Sequence, residues 1–381
     1  MNDRTPQAAV IGLGFIGRAH VEALRRLGIP VRGVLGRDPV STQREAAALG
    51  LRPYFSLEEL LADPAVTVVH QCGPNDVHAR HNHESIAAGK HVFSEKPLGV
   101  SVDECAAQLD AANHAGIHHA VNFTYRGYAA VQSLRDLVQS GELGDVKYLR
   151  GHYLQDWLLL DTDFNWRVGA APQETRTVAD IGSHLADLAR YVTGLEPERM
   201  LARFTTLHPE RHRPLGTVQT FATAQGLTEP IAVTTEDQAS LLVTYSGGVQ
   251  ANFELSQVAA GHKNDLELDI LGTRGSARWR QEQPEEIELG SRDAQRVIRL
   301  KDASHPFSHY PGGHPEGYPD AIANVIRAFY AAIQGRPASA PYPTFQDGLA
   351  AALFTRAAYQ SASQERWITL ERGRDVRVSV L

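Results

Sequence analysis

The chain is poor in the features that mark several protein classes. Only two of its 381 residues are cysteine, Cys72 and Cys105. Two are too few for a disulfide framework, and their apolar or helical context suits small buried side chains in a reducing compartment. No apolar run approaches the roughly 20 residues of a membrane-spanning helix, so no membrane partner is expected. Lysine and arginine number 37 against 44 acidic residues, a formal charge of -7. No basic stripe interrupts that balance, which argues against nucleic acid or an anionic lipid surface as partner. Met1–Gln7 is polar and leads straight into a strand, without the basic, apolar and cleavage regions of a secretory signal, so a cytoplasmic protein is expected. Internal repeats and low-complexity tracts are absent.

What is present alternates. Short apolar runs at Ala8–Ile11, Val31–Leu35, 66–69, His91–Ser94 and 117–121 are separated by segments of helical period. That order predicts a doubly wound parallel sheet with right-handed crossovers. After Gly144 the pattern changes. A long β-prone stretch at 145–157 and two Gly-containing hairpins, 240–255 and 266–279, predict an α+β domain on a largely antiparallel open sheet. Helices are expected over 320–334 and 345–361, and an irregular excursion over 205–235. The length favours two domains, placed at 1–124 and 125–381.

Three motifs carry chemistry. Gly12-Leu13-Gly14-Phe15-Ile16-Gly17 follows a strand and opens a helix, the context a dinucleotide-binding turn requires. Gly12 permits the turn, Gly14 admits the pyrophosphate, Gly17 lets helix and strand approach, and the helix N-terminus favours the phosphates. Gly36 stands where an acid would hold the ribose of NAD, and Arg37 follows it, so the sequence leans from NAD toward NADP; Asp38 offers the counter-reading. Pro74, Asn75 and His78 lie just past the third strand, at the cofactor edge. His78, His81 and His83 share one helix without a completing ligand, so no metal is expected. Glu95-Lys96-Pro97 ends the next strand, where Lys96 can favour a developing alkoxide and Pro97 is a candidate cis residue. Asp180-x-x-x-His184 has the spacing of one helical face, with His184 as general base and Asp180 orienting it or the substrate. Taken alone, that pair also fits a helix cap and a core histidine.

At these residues the chain resembles the Gfo/Idh/MocA oxidoreductases. The likeness includes the glycine turn, Pro74-Asn75-x-x-His78, the run Ala88-Gly89-Lys90-His91-Val92-x-x-Glu95-Lys96-Pro97, Asn122 and Gly141-x-x-Gly144. Asp180-x-Gly182-x-His184 and Gly272-Thr273-x-Gly275 complete it. The resemblance implies Lys96, Asp180 and His184 in the catalytic set and a substrate cleft between the domains. It also implies a homodimer or homotetramer built through the open face of the second sheet. The family often has a proline shortly after the asparagine; the stretch 122–127 has none. Tyr153, Gln155, Asp156, Trp157, Trp166 and Arg167, with His314 and Tyr318, supply the aromatic faces and polar groups that a sugar ring needs.

The expected function is therefore NAD(P)-dependent oxidation of a ring secondary alcohol of a sugar, sugar derivative or cyclitol. Two alternatives stay open: a glycosidase that cycles a bound nicotinamide internally, and a cofactor-sensing regulator. The intact Lys96, Asp180 and His184 weigh against the regulator.

Overall fold

Strand β1 (Ala8–Ile11) is apolar at every position and buried on both sides, the signature of a central parallel strand. Alternation along it sends Ala8 and Val10 into one core and Ala9 and Ile11 into another. Around it stand β2 (Val31–Leu35), β3 (Arg52–Pro53), β4 (Val68–Gln71), β5 (His91–Ser94) and β6 (His119–Val121). All pair in parallel in the order β3-β2-β1-β4-β5-β6, the doubly wound dinucleotide-binding arrangement. The helices between them are α1 (Phe15–Arg26), α2 (Pro39–Leu49), α3 (Leu57–Ala62), α4 (Asn75–Ala87) and α5 (Val102–Ala115). Asp38, Ser56 and Ser101 cap three of these through their side chains, satisfying amides that the helix itself leaves open.

The computed structural model describes residues 5–169, 174–215, 226–293, 297–311 and 313–370. Its chain packs as two units. The first holds the described residues up to Gln132 together with Lys301–Ala352; the second holds Ser133–Leu300 and the described residues from Leu353 onward. Lys301–Ala352 joins the first unit through the apolar face of a helix over Tyr318–Ile333, α8 in chain order after α6 (Ala129–Gln139) and α7 (Ser183–Thr193). Ile322, Val325, Ile326 and Phe329 of α8 join the core of Val10, Leu24, Val34 and Phe93, burying apolar area that this sheet face would otherwise expose. Contact is close at Gly127, where a Cβ would lie 2.0 Å from the Ala321 carbonyl oxygen.

The second unit is built on β7 (Val146–Leu154), β8 (Pro197–Thr205), β11 (Gln238–Tyr245), β12 (Gln250–Ser256), β13 (Asp265–Gly272), β14 (Ser276–Arg280), β15 (Glu286–Gly290), β16 (Val297–Leu300) and β17 (Ile368–Thr369). They form one sheet ordered β16-β15-β14-β13-β7-β12-β11-β8-β17. The β7–β12 pair is parallel and the rest antiparallel, so the sheet is mixed. The stretch expected to be irregular contains β9 (Glu210–Pro214) paired with β10 (Thr228–Ala232); residues 216–225 of that stretch lie outside the described residues. Helix α9 (Phe345–Gln364) follows α8 and begins where the sequence places it. Cys72 and Cys105 are free thiols and buried. Among the described residues no helix is long and apolar enough to cross a membrane.

Candidate functional site

In the first unit the glycine turn is shaped by backbone contact. Gly12 adopts φ +86, and a Cβ there would lie 2.4 Å from the Cys72 carbonyl oxygen. A Cβ on Gly17 would lie 1.8 Å from the Gly12 oxygen. Neither position admits a side chain. Gly14, the N-cap of α1, is different: nothing lies within 4 Å of where its Cβ would stand, and no side chain caps the helix. The turn thus leaves an open cradle over uncapped amides, which fits a pyrophosphate. Phe15 is exposed and Ile16 half-buried at its rim.

At the end of β2, Gly36 donates its amide to Thr42 Oγ1 at 3.0 Å, and a Cβ there would lie 2.7 Å from the same oxygen. No carboxylate fits at residue 36. Asp38 accepts both the Ser41 amide (2.8 Å) and hydroxyl (2.7 Å), which hold its carboxyl below the usual range. Arg37 is exposed, its Nε 3.7 Å from Asp38.

Pro74 precedes α4, and Asn75 is its first residue. Buried His78 has its ring nitrogens 2.8 Å from the Pro97 carbonyl oxygen and 2.9 Å from that of Gly73, so it ties two loops together. The Lys96–Pro97 bond is cis. Glu95 is 7% exposed and takes the His20 ring at 3.0 Å, the Asn122 amide at 2.6 Å and the Lys96 backbone N–H at 3.2 Å. Burial alone would raise its carboxyl, but His20, Asn122 and the Lys96 charge outweigh that and hold it below the usual range. Asn122 Oδ1 and Thr124 Oγ1 are buried with no partner among the described residues, two polar atoms that suit a polar ligand. Arg126 is an ion-pair partner of Asp347 at 2.8 Å. Tyr318 opens α8, its hydroxyl pushed well above the usual range by burial and by Tyr125 and Glu95. His314 is exposed, with Nδ1 3.2 Å from the Pro311 oxygen. Both residues belong to the first unit.

In the second unit the helix expected to carry Asp180 and His184 begins as a π-turn, Val178–Gly182, and becomes α7 at Ser183. Such wide turns recur at functional sites. Gly182 allows the close seat, since a Cβ there would lie 2.7 Å from Leu255 Cδ1. Buried Glu236 accepts the amides of Arg176 (3.0 Å) and Val178 (2.8 Å) at the entrance to the turn. Asp180 Oδ2 accepts the Gln257 amide at 2.9 Å, and Oδ1 lies 3.6 Å from Arg167 Nε. His184 is 8% exposed, its ring centroid 6.4 Å from that of Tyr153.

Tyr153, Gln155 and Trp157 recur at every second residue. Trp157 Nε1 donates to Gln155 at 2.8 Å, while Tyr153 Oη (2.6 Å) and Gln155 (3.1 Å) both donate to Asn264 Oδ1. Trp166 is partly exposed under the Arg167 guanidinium, 4.5 Å from the ring centroid, a cation–π contact. Asp156 instead pairs with Lys263 at 2.6 Å. Arg211 shapes the preceding loop by donating to the carbonyls of Leu158 (2.9 Å), Leu160 (2.8 Å) and Asp163 (3.2 Å), and to Asp237 (2.8 Å). Sequence reasoning missed His20, Glu236, Gln257, Asn264 and Arg211, because each acts on a partner remote in the chain; no local signal marks them.

Residues 7–123 match the family described as an oxidoreductase family with an NAD-binding Rossmann fold, and 131–278 match its GFO/IDH/MocA C-terminal domain. Levoglucosan dehydrogenase of Pseudarthrobacter phenanthrenivorans is 29% identical, over 94% of this chain and 96% of its own length. A solved levoglucosan dehydrogenase, in complex with NADH and L-sorbose, superposes with a TM-score of 0.87 at 27% identity, covering 96% of this chain and 99% of its own. An oxidoreductase domain protein from Kribbella flavida reaches 30% identity and a TM-score of 0.87, covering 97% and 100%. Inositol 2-dehydrogenase of Rhizobium meliloti is 24% identical over 96% and 99%. This chain belongs to the Gfo/Idh/MocA family of NAD(P)-dependent oxidoreductases.

Proposed function

We propose that the protein oxidises a ring secondary alcohol of a sugar, sugar derivative or cyclitol. The observation that carries this reading is the retention, with buried supports, of Lys96 in the first unit and of Asp180 and His184 in the second. Gly12, Gly14 and Gly17 with the α1 N-terminus hold the pyrophosphate, and Pro74, Asn75, His78 and Glu95 line the rest of the cofactor edge. When bound, the nicotinamide supplies the hydride acceptor. His184 takes the hydroxyl proton, while the Lys96 ammonium and Asp180 hold and polarise the oxygen. Asn122, Tyr153, Gln155, Trp157, Trp166, Arg167, His314 and Tyr318 bind the remaining ring. Aromatic faces cover C–H surfaces, and the amides and guanidinium bond hydroxyls. The relatives named for levoglucosan and inositol support the substrate class.

Turnover is read as nicotinamide reduction against a panel of sugars, anhydrosugars and inositols. His184→Asn lowers kcat by about 10²–10⁴-fold. Lys96→Met costs about 10²–10³-fold. Full turnover in either variant removes that residue from the chemistry.

For the cofactor we favour NADP. No acid fits at Gly36, Asp38 is engaged as a helix cap, and the exposed Arg37 guanidinium is suited to a 2′-phosphate. NADP is then the better cofactor by kcat/KM, and Arg37→Ala weakens NADP while leaving NAD unchanged. Preference for NAD in both proteins assigns the ribose to Asp38 instead.

We assign the homodimer or homotetramer contact to the open face of the second sheet. Arg150, Arg203, Leu242 and Glu254 line a concavity there of about 790 Å³. Light scattering is expected to give a mass of two or four copies, shifted toward one by Leu242→Glu; a single-copy mass in the parent protein removes the contact.

A further inference from the structure

Beneath the dinucleotide-binding turn lies a line of buried polar groups with no assigned part in the reaction. Tyr330 Oη is 3.0 Å from His70 Nε2, His70 Nδ1 is 3.0 Å from His20 Nδ1, and His20 Nε2 is 3.0 Å from Glu95 Oε1. Both histidines are fully buried, as is the tyrosine ring. The groups come from α8, β4, α1 and the end of β5. An apolar wall holds them: His70 stacks on Phe93 at 5.0 Å, and His20 meets Phe93 edge-on at 5.4 Å.

The hydrogen positions in this line can be assigned from its ends. An ionised carboxylate only accepts, so His20 Nε2 carries hydrogen and donates to Glu95. The line runs one way when His20 is neutral: its Nδ1 then accepts, and the facing His70 Nδ1 donates. That leaves His70 Nε2 as the acceptor for the Tyr330 hydroxyl. Burial pushes the His70 imidazole well below the ordinary histidine range, consistent with a neutral ring. Every donor therefore points the same way, toward Glu95.

The far side of Glu95 gives the line its consequence. The same Oε1 takes the Asn122 side-chain N–H at 2.6 Å. One N–H of the Asn122 amide goes to the carboxylate and its nitrogen also lies 3.3 Å from His20 Nε2, while its carbonyl oxygen has no partner among the described residues. Oε2 meanwhile accepts the backbone N–H of Lys96 at 3.2 Å.

We propose that Tyr330, His70 and His20 are positioning residues, a one-directional hydrogen-bond line that anchors Glu95 so that Asn122 presents an acceptor and Lys96 is held at its backbone. The ligand group that meets Asn122 Oδ1 is then a donor, a hydroxyl or a carboxamide N–H. This inference rests on the functional reading above for the roles of Asn122 and Lys96, but the hydrogen positions do not.

Two measurements test it on the full-length protein. The first is long-range ¹H–¹⁵N spectroscopy with labelled histidine, assigned through His20→Gln and Tyr330→Phe. His20 is expected to carry hydrogen on Nε2 only and His70 on Nδ1 only, whatever the substrate proves to be. A doubly protonated His20 with His70 carrying hydrogen on Nε2 reverses the line and overturns the assignment. The second is kinetic. His20→Ala lowers kcat by about 10²-fold with a smaller change in KM, and Tyr330→Phe lowers it by about 2–10-fold. His20→Gln, which can still donate to Glu95 and accept from His70, restores most of the loss. In an Asn122→Ala background the His20→Ala effect shrinks, since both act through one contact. Full activity in His20→Ala, or losses that simply add, overturns the positioning role. Absence of turnover in the parent protein would instead count against the functional reading, with the tautomers still readable.

Discussion

A carboxylate taken out of water must find donors on every side. Glu95 is that group here, and much of the first unit is arranged to satisfy it. His20 reaches it from the glycine-turn helix, Asn122 from the strand beyond, and Lys96 from its own backbone. Through His70 and Tyr330 the requirement extends to α8, the helix that the chain supplies only after completing most of the second unit. The buried charge therefore links the glycine turn's helix, the backbone of Lys96 and the returning helix into one set of mutual constraints.

The second unit solves a comparable problem. Asp237 is fully buried between Arg176 and Arg211. Burial pushes its carboxyl up, but the His208 amide and the two guanidiniums outweigh that and hold it below the usual range. Beside it, burial raises the Glu236 carboxyl while its oxygens take the amides that start the π-turn. The arginines extend the effect outward: Arg211 gathers three carbonyls of the loop before Trp166 and Arg167. Asp180 is fixed within this frame by Gln257, itself buried and bonded to Thr177. In both units, buried carboxylates and their partners fix the loops and turns that carry the candidate site residues.

Local pattern made the first sheet legible. Its strands are short and apolar on both faces, and each motif there is contiguous, so Gly12, Gly14 and Gly17 and the Glu95-Lys96-Pro97 corner were readable with their settings. The hairpins of the second sheet were readable from Gly247, Gly248 and Gly275 for the same reason. Three features were not. The apolar stripe of α8 announces a buried helix but not which core receives it. The β9–β10 ribbon carries Pro214, Pro230 and a run of charges, which obscures strand periodicity. The spacing of Asp180 and His184 reads as an α-helix, because a single wide turn leaves no trace in a four-residue interval. Contacts such as His20 with Glu95, 75 residues apart, have no sequence signal at all; they emerge only once the strand order is known.

The central claim is that the chain moves hydride from a ring carbon of a polyhydroxylated substrate to nicotinamide. Its most direct test is to supply a substrate from the reactive panel with deuterium on its ring carbons and to follow the label. Deuterium accumulating at the nicotinamide ring of the reduced cofactor, and lost in the His184→Asn protein, is the predicted result. Reduced cofactor without label, or no net reduction with any ring alcohol, would contradict the account.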